Sequence, residues 1–414
     1  MNLESMRSTY LGALLLACLV LGGGTQKGLP TVFALELLAL PLALDLAVRQ
    51  PEHRGFTWPV YAMAGLIALC LAVQFIPGFS PDLAFLTRDP GRTLDSAVYV
   101  GYALTLFFAF GRLAPPELNR MLAWFFTGVI FNVALALTQF AASHGLTVGL
   151  FPYALGAGFF ANANHFSSLL YIAIPFIIYQ FDAIGRLPWA ALVLLVIVFV
   201  EFAAGSEAGI FLSMGCGLVS VAVIGRLSAV FRALLLALAA IGAMTLSFNP
   251  GNILDVSPDD PLDRPQIALT TLAALQENLP FGSGYGTFDI VYPSVEADTA
   301  ISGTFVNHAH NEPLELVLEG GIPAGLALLA YLALLAWRLP AALRSPLSVA
   351  ALCSICFVIV HSMVDYPLRT AALAGVFALL NAIYFASDAA PSPGRQKGRG
   401  RDVRTTPYQL RSLR

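Results

Sequence analysis

The sequence predicts an all-α fold: a polytopic integral membrane protein of about twelve transmembrane helices, with one large loop between the ninth and tenth. Three observations carry this. Only 22 Lys+Arg and 25 Asp+Glu stand among 414 residues, 11% charged, against about 25% in an ordinary soluble domain. Hydrophobic residues make up 57%, more than a soluble fold of this size can hide from water. The apolar residues also fall in runs close to the roughly 20 that a bilayer-crossing helix needs. This composition excludes a soluble enzyme, a nucleic-acid binder and a disordered scaffold. The net charge of −3 says little, because what matters in a membrane protein is where each charge lies.

Runs between charges and Pro/Gly breaks place the helices at 9–24, 30–48, 58–76, 97–111, 121–142, 165–181, 188–204, 208–225, 232–248, 322–338, 346–363 and 371–386. The short apolar core after Arg7 also has the look of a signal peptide, but eleven further runs favour a retained first helix. Lys and Arg set the orientation. With the N-terminus in the cytoplasm, 17 of the 22 basic residues fall inside, and Lys27, Arg88, Arg92, Arg264 and Arg369 fall outside. That asymmetry predicts both termini inside. Residues 1–386 read as one transmembrane domain. The Pro-, Gly- and Arg-rich tail 387–414 reads as disordered and either touches anionic headgroups or is merely solvated. Cys18, Cys70, Cys216, Cys353 and Cys356 all lie in the apolar runs and suggest helix packing rather than disulfides or a redox pair.

The outside segment 249–321 is long enough to be functional. Asp263 can cap a helix whose first turn holds Pro265, whose apolar face is Ile267, Leu269, Leu272 and Leu275, and which Pro280 ends. Arg264 then stands at a helix N-terminus, where a cation is disfavoured unless an anion binds there. Pairing with Asp263 or Asp260 at the surface is the equal alternative. The loop acids Asp255, Asp259, Asp260 and Asp263 lack calcium-loop spacing and read as solvated.

Further on, Asn311 can cap a helix with Pro313 in its first turn and Gly320-Gly321 at its end. His310 abuts that positive end, which disfavours an imidazolium and leaves a neutral ring able to act as a general base. A surface loop histidine, or a weak metal pair of His308 and His310, is the bland alternative; two histidines without a third ligand do not make a zinc site. Glu315 and Glu319 share a helix face, lining a cleft or facing solvent. The glycines of Pro280–Thr287, Gly284 among them, permit tight turns without forming a dinucleotide fingerprint.

The runs "NHAHNEPLELVLEGGIPAGLALL" (Asn307–Leu329), "DRPQIALTTLAALQENLPFGSGYGTF" (Asp263–Phe288), "GFFANANHFSSLLYIAIPF" (Gly158–Phe176) and "HSMVDYPLRTAA" (His361–Ala372) resemble the O-antigen ligase and polymerase superfamily. In the right order they cover 158–372. The resemblance implies a GT-C-like glycosyltransferase of the bacterial inner membrane with a periplasmic active site. The donor would be a glycan on undecaprenyl diphosphate, and the acceptor lipid A-core or another lipid-linked glycan. It implies that His310 is the base and Arg264 the diphosphate grip. Two departures stand out. Ala324 replaces a usual Gly, Thr or Val, and Ser206-Glu207-Ala208-Gly209 replaces a frequent Ser-Arg-x-Gly. Arg369, Arg88 or Arg92 would then have to supply the missing cation, with Arg369 preferred. Asn164 either orients substrate or caps a helix; His308, Asn311, Gly284 and Glu315 complete the candidate substrate contacts. No constellation calls for a metal or cofactor. A polymerase joining lipid-linked repeats is the first alternative reading, and a non-enzymatic transporter of lipid-linked glycan the second.

Overall fold

The computed structural model describes residues 3–26, 28–49, 56–78, 84–145, 156–225, 227–248, 264–297 and 305–385. Lys27, Arg54, Arg226, the loop acids through Asp263, and the tail 387–414 lie outside them. Among the described residues every regular element is helical. The helices are α1 (Leu3–Leu21), α2 (Pro30–Val48), α3 (Trp58–Val73), α4 (Pro90–Gly111), α5 (Pro115–Ser143), α6 (Ala163–Ala183), α7 (Pro188–Ala204), α8 (Glu207–Ile224), α9 (Ala229–Phe248), α10 (Arg264–Asn278), α11 (Phe288–Val295), α12 (Glu312–Ala342), α13 (Pro346–Ser362) and α14 (Ala371–Phe385). Proline opens α2, α3, α4, α5, α7, α12 and α13. At that position its missing N–H costs nothing. Side chains of Asp89, Asn162, Ser206, Asn311 and Ser345 cap α4, α6, α8, α12 and α13.

Among the described residues, six helices are long and apolar enough to cross a membrane, and six more are shorter but apolar. Large apolar side chains such as Phe33, Leu44, Leu195, Phe202 and Leu326 are exposed along them, which suits lipid and not water. The chain is a multi-pass membrane protein. Several helices run longer than the sequence patterns predict. The fourth starts at Pro90 instead of 97, because Asp89 caps it and accepts from Arg92 N. The helix after Asn311 ends at the glycine pair, as the sequence predicts: Gly321 (φ 65°, ψ −157°) is non-helical, and the next apolar span follows directly, so α12 is two helices joined at a kink. The short α11 is an element the periodicity does not signal.

The main core gathers α1, α4, α5, α6, α13 and α14, where Leu15, Leu19, Phe110, Phe125, Tyr171 and Phe176 are buried. α6 packs on α8 and α13, and α4 on α14. A separate small core of Ile267, Ala274, Phe288, Tyr292 and Leu318 fastens α10 and α11 over the start of α12. Arg7 and Arg49 meet Asp45 at 2.7 and 3.1 Å, and Arg112 donates to Leu46 O at 3.0 Å. This basic end holds the last turn of α4, away from the start of that helix, where Arg92 grips Asp289.

The break in α12 is closed by the glycine-rich segment before α11. Pro323 has no N–H, so Glu319 O loses its helical donor, and Gly284 N supplies one at 2.8 Å. Ser283 N serves Leu318 O at 3.0 Å, and Ile322 N turns to Pro280 O at 2.9 Å. A Cβ on Gly321 would lie 2.2 Å from Pro280 O, at a left-handed φ. Gly321→Ala is therefore expected to destabilise the fold by on the order of 3 kcal/mol. A lowered thermal midpoint in detergent checks this, and an unchanged midpoint would contradict the closure.

Candidate functional site

Three segments distant in sequence, the starts of α6 and α10 and the turn before α12, converge on Asp365, which is fully buried in the turn between α13 and α14. Asn162 caps α6 by accepting from Asn164 N at 2.7 Å, so Asn164 lies inside the helix and is free to bridge. Its Nδ2 donates to Asp365 Oδ2 at 2.9 Å, and its Oδ1 accepts from Ser206 Oγ at 2.8 Å. Tyr366 N donates to Asp365 Oδ1 at 2.9 Å.

Three imidazoles and one guanidinium face the same carboxylate. His310 Nδ1 stands 3.4 Å from Oδ1 and His165 Nε2 3.8 Å from it. His361 Nε2 is 3.8 Å and Arg264 Nη2 3.9 Å from Oδ2. Burial alone would push the Asp365 carboxyl up. The facing His165 and His310 rings, and then the charge of His361, outweigh it and hold the carboxyl well below the usual carboxylate range. Tyr366 fills the space between the rings, its centroid 4.3 Å from that of His308, 4.8 Å from His165 and 4.9 Å from His310. His361 Nδ1 is engaged by Ser168 Oγ at 2.9 Å and Tyr171 OH at 3.2 Å.

Access separates these histidines. The side chains of His165 and His361 are 0% and 1% exposed, whereas His310 is 26% exposed. His310 turns Nδ1 toward Asp365 without a hydrogen bond, so Nε2 lies on the other side of the ring. Its backbone has φ 49°, the only positive φ at a residue other than glycine among those described. Such a conformation costs about 1–3 kcal/mol and persists only where neighbours over-determine it.

Beside the cluster lies an acidic face of α12. Glu315 accepts from Ala309 N at 2.8 Å and meets His308 Nδ1 at 2.8 Å. Glu319 accepts from Phe288 N at 3.1 Å. Arg369 sits between them, Nη2 3.2 Å from each. Glu312 accepts from Leu368 N at 2.7 Å and from Ser362 Oγ. Asn311 caps α12 through Leu314 N at 2.9 Å and donates to Met363 O at 3.0 Å.

The structure thus brings His310, Arg264 and Asn164 together, with His308, Asn311 and Glu315 alongside. It sets Gly284 apart, closing the break in α12 against Thr87 and Thr93. Arg369 is balanced by two buried carboxylates, with its own side chain 24% exposed. Arg92 grips Asp289 at 2.5 and 2.6 Å, and Arg88 Nε donates to Asn278 Oδ1 at 2.8 Å. Glu207 is exposed in the first turn of α8. Sequence reasoning did not count Asp365, Tyr366, His165 or His361 among the site residues. The available signal was a polar turn, Asp365-Tyr366-Pro367, set between two apolar runs.

Residues 163–329 match the family model described as O-Antigen ligase. The match runs from α6 into α12 and includes His165, Arg264, His308 and His310, but stops short of Asp365 and Arg369. No curated protein matches the chain.

Proposed function

From the match of residues 163–329 to the O-antigen ligase family model, we propose that this chain is a member of the O-antigen ligase and polymerase superfamily and a membrane glycosyltransferase of the ligase type. It moves a glycan from undecaprenyl diphosphate to an acceptor hydroxyl, lipid A-core in the reading we favour. The proposed setting is the periplasmic face of the inner membrane, with the twelve apolar helices as spans and both termini in the cytoplasm. The observation that carries the chemistry is His310, the accessible histidine of a buried cluster, backed through Nδ1 by Asp365 and flanked by Arg264.

The sugar–diphosphate bond already has a good leaving group, so the site needs a base and a cation more than an acid. His310 Nε2 takes the proton of the acceptor hydroxyl. The acceptor oxygen forms a bond to the anomeric carbon as the bond from that carbon to the diphosphate oxygen breaks, with inversion. Asp365 steadies the imidazolium. Arg264, whose contact with Asp365 is a long 3.9 Å, stands in the first turn of α10. There its charge can meet the departing diphosphate. No step calls for a metal.

The surface-glycan profile of a deletion strain tests this. Lipid A-core without long glycan, together with accumulated lipid-linked donor, is the expected result. Single repeats still attached to lipid A-core would instead mark a polymerase. An unchanged profile with normal donor levels would remove both readings.

A further inference from the structure

Three glutamates occupy one buried face of α12 at positions i, i+3 and i+7, a costly arrangement unless each charge is answered. Their partners follow a pattern. Glu315 holds two consecutive residues, His308 through Nδ1 and Ala309 through its N–H, both at 2.8 Å. The next residue is His310, at φ 49°. On its other side Asn311 is pinned by its cap to Leu314 N and by its bond to Met363 O. The strained residue is therefore fixed from both directions. Glu312 holds Leu368 N and Ser362 Oγ, which flank Asp365 in the turn after α13. One helix face thus grips both the turn that carries His310 and the turn that carries Asp365. Arg369 lies 3.2 Å from Glu315 and Glu319, so its charge is spent on this face.

We propose that Glu315 and Glu312 are positioning residues: together they set the separation of His310 and Asp365, with Arg369 as their counter-charge and not a substrate ligand. This rests on His310 being the base. The carboxylates act on the geometry of the dyad, so their loss is expected in kcat and not in substrate affinity. A displacement of about 1 Å at a reacting group can lower the rate on the order of 10²-fold.

The test uses the full-length protein purified in detergent, with lipid-linked glycan extracted from a deletion strain as donor and lipid A-core as acceptor. Glu315→Gln is expected to lower kcat by about 10–100-fold while KM for the donor stays within about threefold. In a His310→Ala background the same substitution is expected to cost nothing more, because the group it positions is gone. A raised KM with kcat unchanged would make Glu315 and Arg369 a substrate site and overturn the proposal. So would full activity of Glu315→Gln, or an undiminished further loss in the His310→Ala background. If His310→Ala alone stays fully active, the base assignment fails and the positioning role falls with it. An inactive His310→Ala beside a fully active Glu315→Gln removes the positioning role and leaves the base. Should Glu315→Gln fail to accumulate, Glu312→Gln is measured against Asp365→Asn, with the same non-additive loss expected.

Discussion

Replacing His310 with alanine is expected to cut glycan transfer by about 10²–10⁴-fold, the usual contribution of a positioned general base. Donor binding should persist, because Arg264 and the start of α10 are untouched. The size of the effect follows from access. His165 and His361 are sealed beneath Asp365, so neither can take over from the one ring that reaches the open side. Alanine also resists the left-handed backbone that residue 310 adopts. His310→Asn separates the two effects, since asparagine tolerates positive φ far better and carries no base. Both variants are expected to lose transfer, and His310→Asn to keep a thermal midpoint closer to the parent. Rates measured on purified protein decide it, and wild-type transfer by His310→Asn would end the assignment.

Asp365→Asn is the second large effect, expected on the order of 10³–10⁴-fold in rate. The carboxylate accepts from Asn164 Nδ2 and Tyr366 N at 2.9 Å each. The two bonds use different oxygens, Oδ2 and Oδ1, so a carboxamide answers only one donor and sets its NH2 against the other, and being neutral it no longer stabilises an imidazolium at His310. One buried charge also vanishes from opposite Arg264, and a misdirected NH2 costs about 1–3 kcal/mol. The pH dependence has a defined sign. The folded carboxyl is held well below its ordinary range, so the unfolded chain binds this proton more readily. Its contribution to stability is complete above the unfolded value, about 3.9, and is lost as pH falls from there toward the folded value. Thermal midpoints in detergent should drop more steeply below about pH 4 for the parent than for Asp365→Asn. Parallel curves would show that Asp365 is not held ionised by its neighbours.

The parts of the site legible in the sequence are those with local causes. His310 precedes Asn311 and Pro313, and those residues alone start a helix at that point. Arg264 and Pro265 open α10 in the same way. Asn164 was visible as a polar residue at a helix start, but its role depends on Asn162 taking the cap and on Ser206 and Asp365 arriving from 42 and 201 residues away. The surroundings of Arg369 depend on folding in the same way. In the sequence it is one of five outside cations, and only folding sets it against Glu315 and Glu319. The glycines of Pro280–Thr287 signalled close backbone approach and Gly320-Gly321 signalled a helix end, but that the two segments meet was not legible.

What the sequence determined by itself is the solvent and the elements. So few charges among so much apolar surface require a bilayer, and proline, asparagine and glycine mark where most helices begin and stop, because those are properties of neighbouring residues. What only the tertiary structure decided is which polar groups share a buried charge. Asp365 lies between two apolar helices and looks like a turn residue. Desolvation makes its carboxylate costly until Asn164, His165, Arg264, His310 and His361 surround it, and no local pattern encodes that meeting.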